Sequence, residues 1–155
     1  MLIRPMRDSD VDAAVELTLA NYDGVLAEHH SAEVLAGLRA ELTPEFFRDQ
    51  MTWKQVFVAE DEGQVVATGA LADFGTSDAP KYTVSMFFVR SDLHRHGIGS
   101  RLLDHLTAAA VETGADKLHV PSSHNAIPFY VHAGFAVDTL QPDAEQEITW
   151  MTKPL

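Results

Sequence analysis

Cysteine is absent from this 155-residue chain. That excludes a disulfide framework, a thiolate zinc site, an iron–sulfur cluster and a cysteine nucleophile. Basic residues are scarce: 11 Lys and Arg stand against 23 Asp and Glu, a formal charge of −12 at pH 7 with histidines neutral. So acidic a chain repels phosphate backbones and anionic lipid, which argues against nucleic acid or a membrane surface as its partner. There is no apolar run long enough for a membrane span and no basic-then-apolar start resembling a signal peptide, so the expected location is the cytoplasm. No Pro/Gly/Ser-rich linker and no internal repeat divides the sequence. Residues 1–155 therefore read as a single domain, long enough to bury roughly 70% of its unfolded surface.

What is present is an alternation of strand and helix patterns. Leu2 to Met6 reads as a short strand. Ser9 or Asp10 is placed to cap a helix over 10–22, where Val11, Ala14, Val15, Leu17 and Thr18 recur at helical spacing. Ser31 opens a second helix and Thr43-Pro44-Glu45 a third, short one. Val56–Ala59 and Gln64–Leu71 read as a hairpin around a turn at Glu60–Gly63. Tyr82–Val89 is a strongly apolar strand, expected at the centre of a sheet. Gly97–Thr113 is a helix with Ile98, Leu102, Leu103, Leu106 and Ala110 on its inner face, ended by Gly114. Lys117–Val120 is a strand, Ala126–Ala133 a helix closed by Gly134, and Phe135–Asp138 and Glu147–Thr152 are strands. The layout is α/β, with a mixed central sheet flanked by helices.

The first segment that carries chemistry follows the apolar strand: His94-Arg-His-Gly97-Ile-Gly99-Ser100. Glycines at 97 and 99 let a ligand approach the backbone, and the first amides of a helix lack internal partners and lie at its positive end. Together they form a receptor for a diphosphate. The cradle is main chain, and Arg95, His96 and Arg101 add local positive charge, so an anionic cofactor is compatible with the acidic whole. The Gly-Lys-Ser/Thr ending of a phosphate-binding Walker loop is absent. Leu102 stands where the third glycine of a dinucleotide-binding fingerprint belongs.

The second segment is Asn125-Ala-Ile-Pro-Phe129-Tyr130, ending in Gly134-Phe135. Asn125 is placed to cap a helix and offer an amide to a ligand. In this order and about thirty residues apart, the two segments resemble the GNAT superfamily of N-acetyltransferases, whose Gln/Arg-x-x-Gly-x-Gly/Ala turn precedes an Asn-…-Phe-Tyr helix. The likeness is close over residues 82–138 and extends in element order to nearly the whole chain. His94 and Arg95 depart from the usual Gln or Arg and the following glycine.

The resemblance implies a GNAT fold whose central sheet splays between parallel strands 82–89 and 117–120, with acetyl-coenzyme A as co-substrate in the opening. The diphosphate would lie on amides of about 95–100, from Arg95 and His96 through Gly97, Ile98, Gly99 and Ser100, with His94 as a neutral donor weaker than the family's Arg. The pantetheine arm would pair with Phe87, Phe88 and Val89 as an added strand. Asn125 and Phe129 would line its path, and Tyr130 would protonate the departing thiolate. A backbone amide of Phe88 or Val89 would polarise the thioester carbonyl. The activity implied is transfer of acetyl to a primary amine, of a small molecule or a peptide, by direct attack in a ternary complex. The alternative is a non-catalytic acyl-coenzyme A sensor on the same fold, because the stretch 82–89 carries no carboxylate to act as base.

On the acceptor side the candidates are Tyr22, Glu28, His29 and His30 of the segment between the first two helices, Ser85 on the apolar strand, and His119. Thr83 and Ser85 are expected on the same strand face as Val89, able to relay protons only through water. Eight histidines suggest a metal, but no His-Glu-x-x-His or comparable array is present, so none is expected. Trp53, Phe57 and Trp150 read as core or interface, and GNAT proteins often pair, which makes a homodimer an expectation from the resemblance. The acidic surface favours a cationic acceptor.

Overall fold

The computed structural model describes residues 1–28, 30–141 and 148–155. Its described strands are β1 (Leu2–Pro5), β2 (Gln55–Asp61), β3 (Gln64–Asp73), β4 (Tyr82–Val89), β5 (Lys117–Ser123), β6 (Ala136–Val137) and β7 (Ile148–Pro154). They form one sheet in the order β1-β2-β3-β4-β5-β7-β6. Neighbours are antiparallel except β4 and β5, which run parallel. Parallel neighbours need a long crossover, and α4 (Ile98–Glu112) supplies it.

Helices α1 (Val11–Asp23), α2 (Ala32–Glu41) and α3 (Pro44–Met51) come before the main run of strands, and α5 (Ile127–His132) follows β5. Met6, Val11, Ala14, Phe47, Val56, Val58 and Ala70 bury one face of the sheet beneath α1 and α3. Leu71, Val84, Leu103, Leu106, Leu118, Val120, Tyr130, Phe135 and Met151 form the core on the other face, beneath α4 and α5. Ser31 and Thr43 cap α2 and α3 by accepting from Val34 and Phe46 N–H. The α1 cap differs from expectation. Asp10 stands at the N-cap position without bonding a helix amide, because Arg4 donates to both of its oxygens at 2.8 and 3.0 Å and Arg7 N–H adds a third bond.

The β2–β3 turn is tighter than the sequence suggests. Glu62 and Gly63 both adopt positive φ, the geometry that joins strands with a two-residue connection. A second irregularity matters more. Thr68 pairs with Phe88 but Ala70 pairs with Ser85, so Gly69 alone faces both Met86 and Phe87. Met86, at φ +53°, is the extra residue of a β-bulge. The bulge changes the alternation of side chains along β4. Thr83 and Ser85 therefore share a face with Phe88, and the expectation that they share one with Val89 is corrected. A Cβ on Gly69 would come within 3.1 Å of both Leu106 and Phe87, so glycine lets α4 seat closely over the bulge.

Candidate active site

The parallel strands share one registered pair, Thr83 with His119. Beyond it β4 continues to Val89 and β5 to Ser123 without pairing, so the sheet opens into a V. Arg90 N–H bonds Val66 O at 2.8 Å, and Val89 lies opposite Ala67. By the alternation of an antiparallel ladder, the N–H and C=O of Val89 point away from β3 and into the V, whereas Phe88 turns its own toward β3. The Val89 carbonyl is occupied: Asn21 Nδ2 donates to it at 2.9 Å, and His94 Nε2 lies 2.9 Å from it. Asn21, buried on α1, was not singled out from the sequence. No motif marks a helical asparagine as the tie to a distant strand end.

At the open end of the V the chain turns through Arg95 (φ +67°) and Gly97 (φ +80°) into α4. Gly97 is the N-cap, with no side-chain cap. A Cβ there would meet nothing within 4 Å, so glycine is demanded by the backbone conformation. The amides of Ile98, Gly99 and Ser100 begin the helix without partners from a preceding turn. That of His96 is bonded to Leu93 O at 3.3 Å and drops out of the expected cradle. The Ile98 side chain is buried, so only its amide can serve a ligand, while His94, Arg95, His96 and Ser100 are exposed. Gly99 has a role that the sequence did not reveal. A Cβ there would lie 3.3 Å from the Phe129 ring and 3.5 Å from Val89, so glycine lets α4 start against α5.

On the face of the sheet covered by α4 and α5 lies an aromatic cluster. Tyr130 is 4% exposed, with ring centroids of Phe129, Phe135 and Phe87 at 5.1, 5.5 and 6.2 Å. Burial pushes its phenol well above the ordinary value, so it stays protonated at neutral pH. Phe129 also stacks on Phe87 at 5.8 Å. Asn125 does not cap α5. It sits within a single turn of 3₁₀ helix, His124–Ala126, and its Oδ1 accepts from Ser123 Oγ at 2.7 Å. This leaves its amide donors without a partner among the described residues.

The opposite face of β4 carries Thr83, Ser85 and Phe88. Ser85 Oγ accepts from Lys54 Nζ at 3.1 Å. Burial lowers the Lys54 pKa to about 8. Its ammonium lies 4.8 Å from the Trp53 ring centre and 5.0 Å from that of Phe74. Neither Lys54 nor Phe74 stood out in the sequence, where they are 20 positions apart with no shared pattern. His119 receives Gln141 Nε2 at Nδ1 (3.2 Å), and burial, with Lys81 and Lys117 nearby, lowers its pKa. Tyr22 is a packing residue, edge-on to Phe88 at 5.6 Å, and burial raises its pKa to about 12. Glu28 is exposed and His30 half-buried ahead of α2; His29 lies outside the described residues. Trp53, expected in a core or interface, is 52% exposed. Trp150 carries Lys81 Nζ over its ring at 3.7 Å, and Phe57 packs on His105 at 4.7 Å. Among the described residues no three His, Asp or Glu side chains are grouped to hold a metal, and no helix is long and apolar enough to cross a membrane.

Known proteins share this architecture. A PaiA N-acetyltransferase from Thermoplasma acidophilum, solved in complex with coenzyme A, superposes with a TM-score of 0.84 over 99% of this chain and 98% of its own, at 15% identity. A GCN5-related N-acetyltransferase from Rhodopseudomonas palustris superposes with a TM-score of 0.82 over 99% of this chain and 95% of its own, at 24% identity. In sequence, an alignment 79 positions long to the tRNA(Met) cytidine acetyltransferase TmcA of Aeropyrum pernix is 38% identical and covers 49% of this chain but 11% of that protein. The profile of the acetyltransferase (GNAT) domain matches residues 52–137, more than half of the chain and the part that contains both arms of the V. The chain belongs to the GNAT acetyltransferase family.

Proposed function

We propose that the protein transfers the acetyl group of acetyl-coenzyme A to a primary amine by direct attack in a ternary complex. The observation that carries this reading is the parting of β4 and β5 after their single pair, with the Val89 N–H turned into the opening. The amides of Ile98, Gly99 and Ser100, without a partner among the described residues, hold the diphosphate, and the V receives the pantetheine arm beside β4. The Val89 N–H donates to the thioester oxygen and takes up charge as the carbonyl carbon becomes tetrahedral. The amine nitrogen forms the new C–N bond, the C–S bond breaks, and Tyr130 gives its proton to the sulfur; the nitrogen loses its extra proton to water, and water returns one to the Tyr130 phenolate. A phenol held protonated by burial suits that role. Tyr130 and the Ser85–His119 surface lie on opposite faces of the sheet, so acid and acceptor approach the thioester from different sides.

The test is thiol release from acetyl-coenzyme A with a panel of amines, together with calorimetry of coenzyme A. Binding with turnover on at least one amine is expected. Binding without turnover on any amine would favour an acyl-coenzyme A sensor, and absence of binding would remove the cofactor assignment.

A further inference from the structure

We infer that Lys54 is an anion-binding residue of the acceptor site, and that the acceptor carries a carboxylate beside its amine. This rests on the transferase reading above and assigns the acceptor's class. Among the described residues Lys54 is the lysine whose ammonium is held by a side-chain hydroxyl, that of Ser85, and by no carboxylate. Arg4, Arg39, Arg48 and Arg90 each pair with Asp or Glu. Lys54 is half-buried, and among the described residues its head group meets no carboxylate. The acidic group that closes the adjoining loop, Asp73, is engaged elsewhere, accepting from Gly75 and Lys81 N–H at 2.8 Å each.

A lysine that merely snorkels leaves its ammonium in water. Here the ammonium is held at 3.1 Å by Ser85 Oγ and lies near two aromatic rings. Those contacts offset part of the desolvation and leave the charge without a counter-ion. Ser85 places it on the face of β4 that carries Thr83 and, through the one β4–β5 pair, His119. This is the face opposite Tyr130, from which the acceptor reaches the V. Trp53 and Phe74, 52% and 41% exposed, flank the ammonium and offer apolar contact to the rest of the acceptor. The chemistry recognised is an amino carboxylate with an apolar part. The global acidity pointed to a cationic acceptor; the local charge reverses that expectation.

Matched acceptors with and without the carboxylate test this: L-phenylalanine against phenethylamine, L-leucine against isopentylamine, and L-lysine against cadaverine. In the best-used pair the carboxylate member should be preferred about tenfold or more in kcat/KM, as expected for a charge-assisted bond. Lys54→Met should bring that ratio toward one by raising KM, and Lys54→Arg should keep most of it. Preference for the decarboxylated member, or an equal loss for both members in Lys54→Met, overturns the inference. If coenzyme A binds and no amine is acetylated, the transferase reading fails by itself. The anion site is then decided by titrating the apoprotein with 3-phenylpropionate while following tryptophan fluorescence. A saturable change that is lost in Lys54→Met supports it. No change, or the same change with phenethylamine, overturns it.

Discussion

The two ends of the V are built from different materials. The end where α4 begins is main chain: two residues with positive φ, three helix-start amides and the N–H of Val89. The face proposed for the acceptor is side chain: Lys54 from the α3–β2 junction, Phe74 from the loop after β3, Ser85 from β4 and His119 from β5. Backbone recognition tolerates changes of side chain, which is how His94 and Arg95 can replace the family's usual residues while the amide row keeps its form. Side-chain recognition has no such tolerance, so the acceptor face is where relatives with the same fold can diverge in substrate.

Substitutions should separate the two regions, and the largest effect is expected between them. Tyr130→Phe should lower kcat by roughly 10²- to 10⁴-fold, as for loss of a general acid, and leave coenzyme A affinity nearly intact. Unchanged turnover in steady-state kinetics would take the acid role away from Tyr130. Gly99→Val should disable the main-chain end. Its branched side chain would press on the Phe129 ring, 3.3 Å from the Cβ position, and overpacking of this kind costs roughly 1–3 kcal/mol. Calorimetry should then show coenzyme A binding lost, while circular dichroism retains the helix signal. Full binding would mean that the α4 start is not the diphosphate site.

Asn21→Ala should be milder. Removing one of two contacts to the Val89 carbonyl should cost about 1 kcal/mol in denaturant unfolding and loosen coenzyme A binding without changing acceptor preference. The smallest effect belongs to the acceptor face. The lowered pKa of Lys54, about 8, means that between pH 8 and its ordinary value the unfolded chain binds more protons than the folded one. Stability should rise over that window in the wild type, and the half-buried charge is unfavourable below it. Lys54→Met should therefore melt no lower than wild type at pH 7 and lose this pH dependence. A clear drop in Tm at pH 7 would make Lys54 a structural residue.

The same division explains what could be read from the sequence. Glycines 97 and 99, the helix after them, and Phe129-Tyr130 are local patterns, and local patterns survive in a linear string. The parallel pairing of β4 and β5 was legible because the resemblance supplied it, whereas the insertion of β7 between β5 and β6 was not read from the sequence. The Met86 bulge was not, since nothing in Ser-Met-Phe-Phe announces an extra residue. It goes with the close approach of Gly69, Phe87 and Leu106, residues distant in sequence. The error over which face Ser85 shares follows from that one missed residue. Lys54 was invisible for a related reason: its significance lies in the Ser85 hydroxyl and the two rings that meet its ammonium in space, and a sequence lists neighbours only along the chain. Asp10 misled in the opposite way, carrying a cap residue's chemistry but claimed by Arg4 from the adjacent strand.

Because β4 and β5 are joined by one pair, hydrogen bonding within the sheet does not determine how wide the gap between them stands. That aperture is set instead by the hydrophobic wedge behind it, where Val84 of one strand and Leu118 and Val120 of the other meet Leu103 and Leu106 of the intervening helix. Under the proposed function, the grip on a long, flexible cofactor would thus be tuned by aliphatic residues packed behind the V.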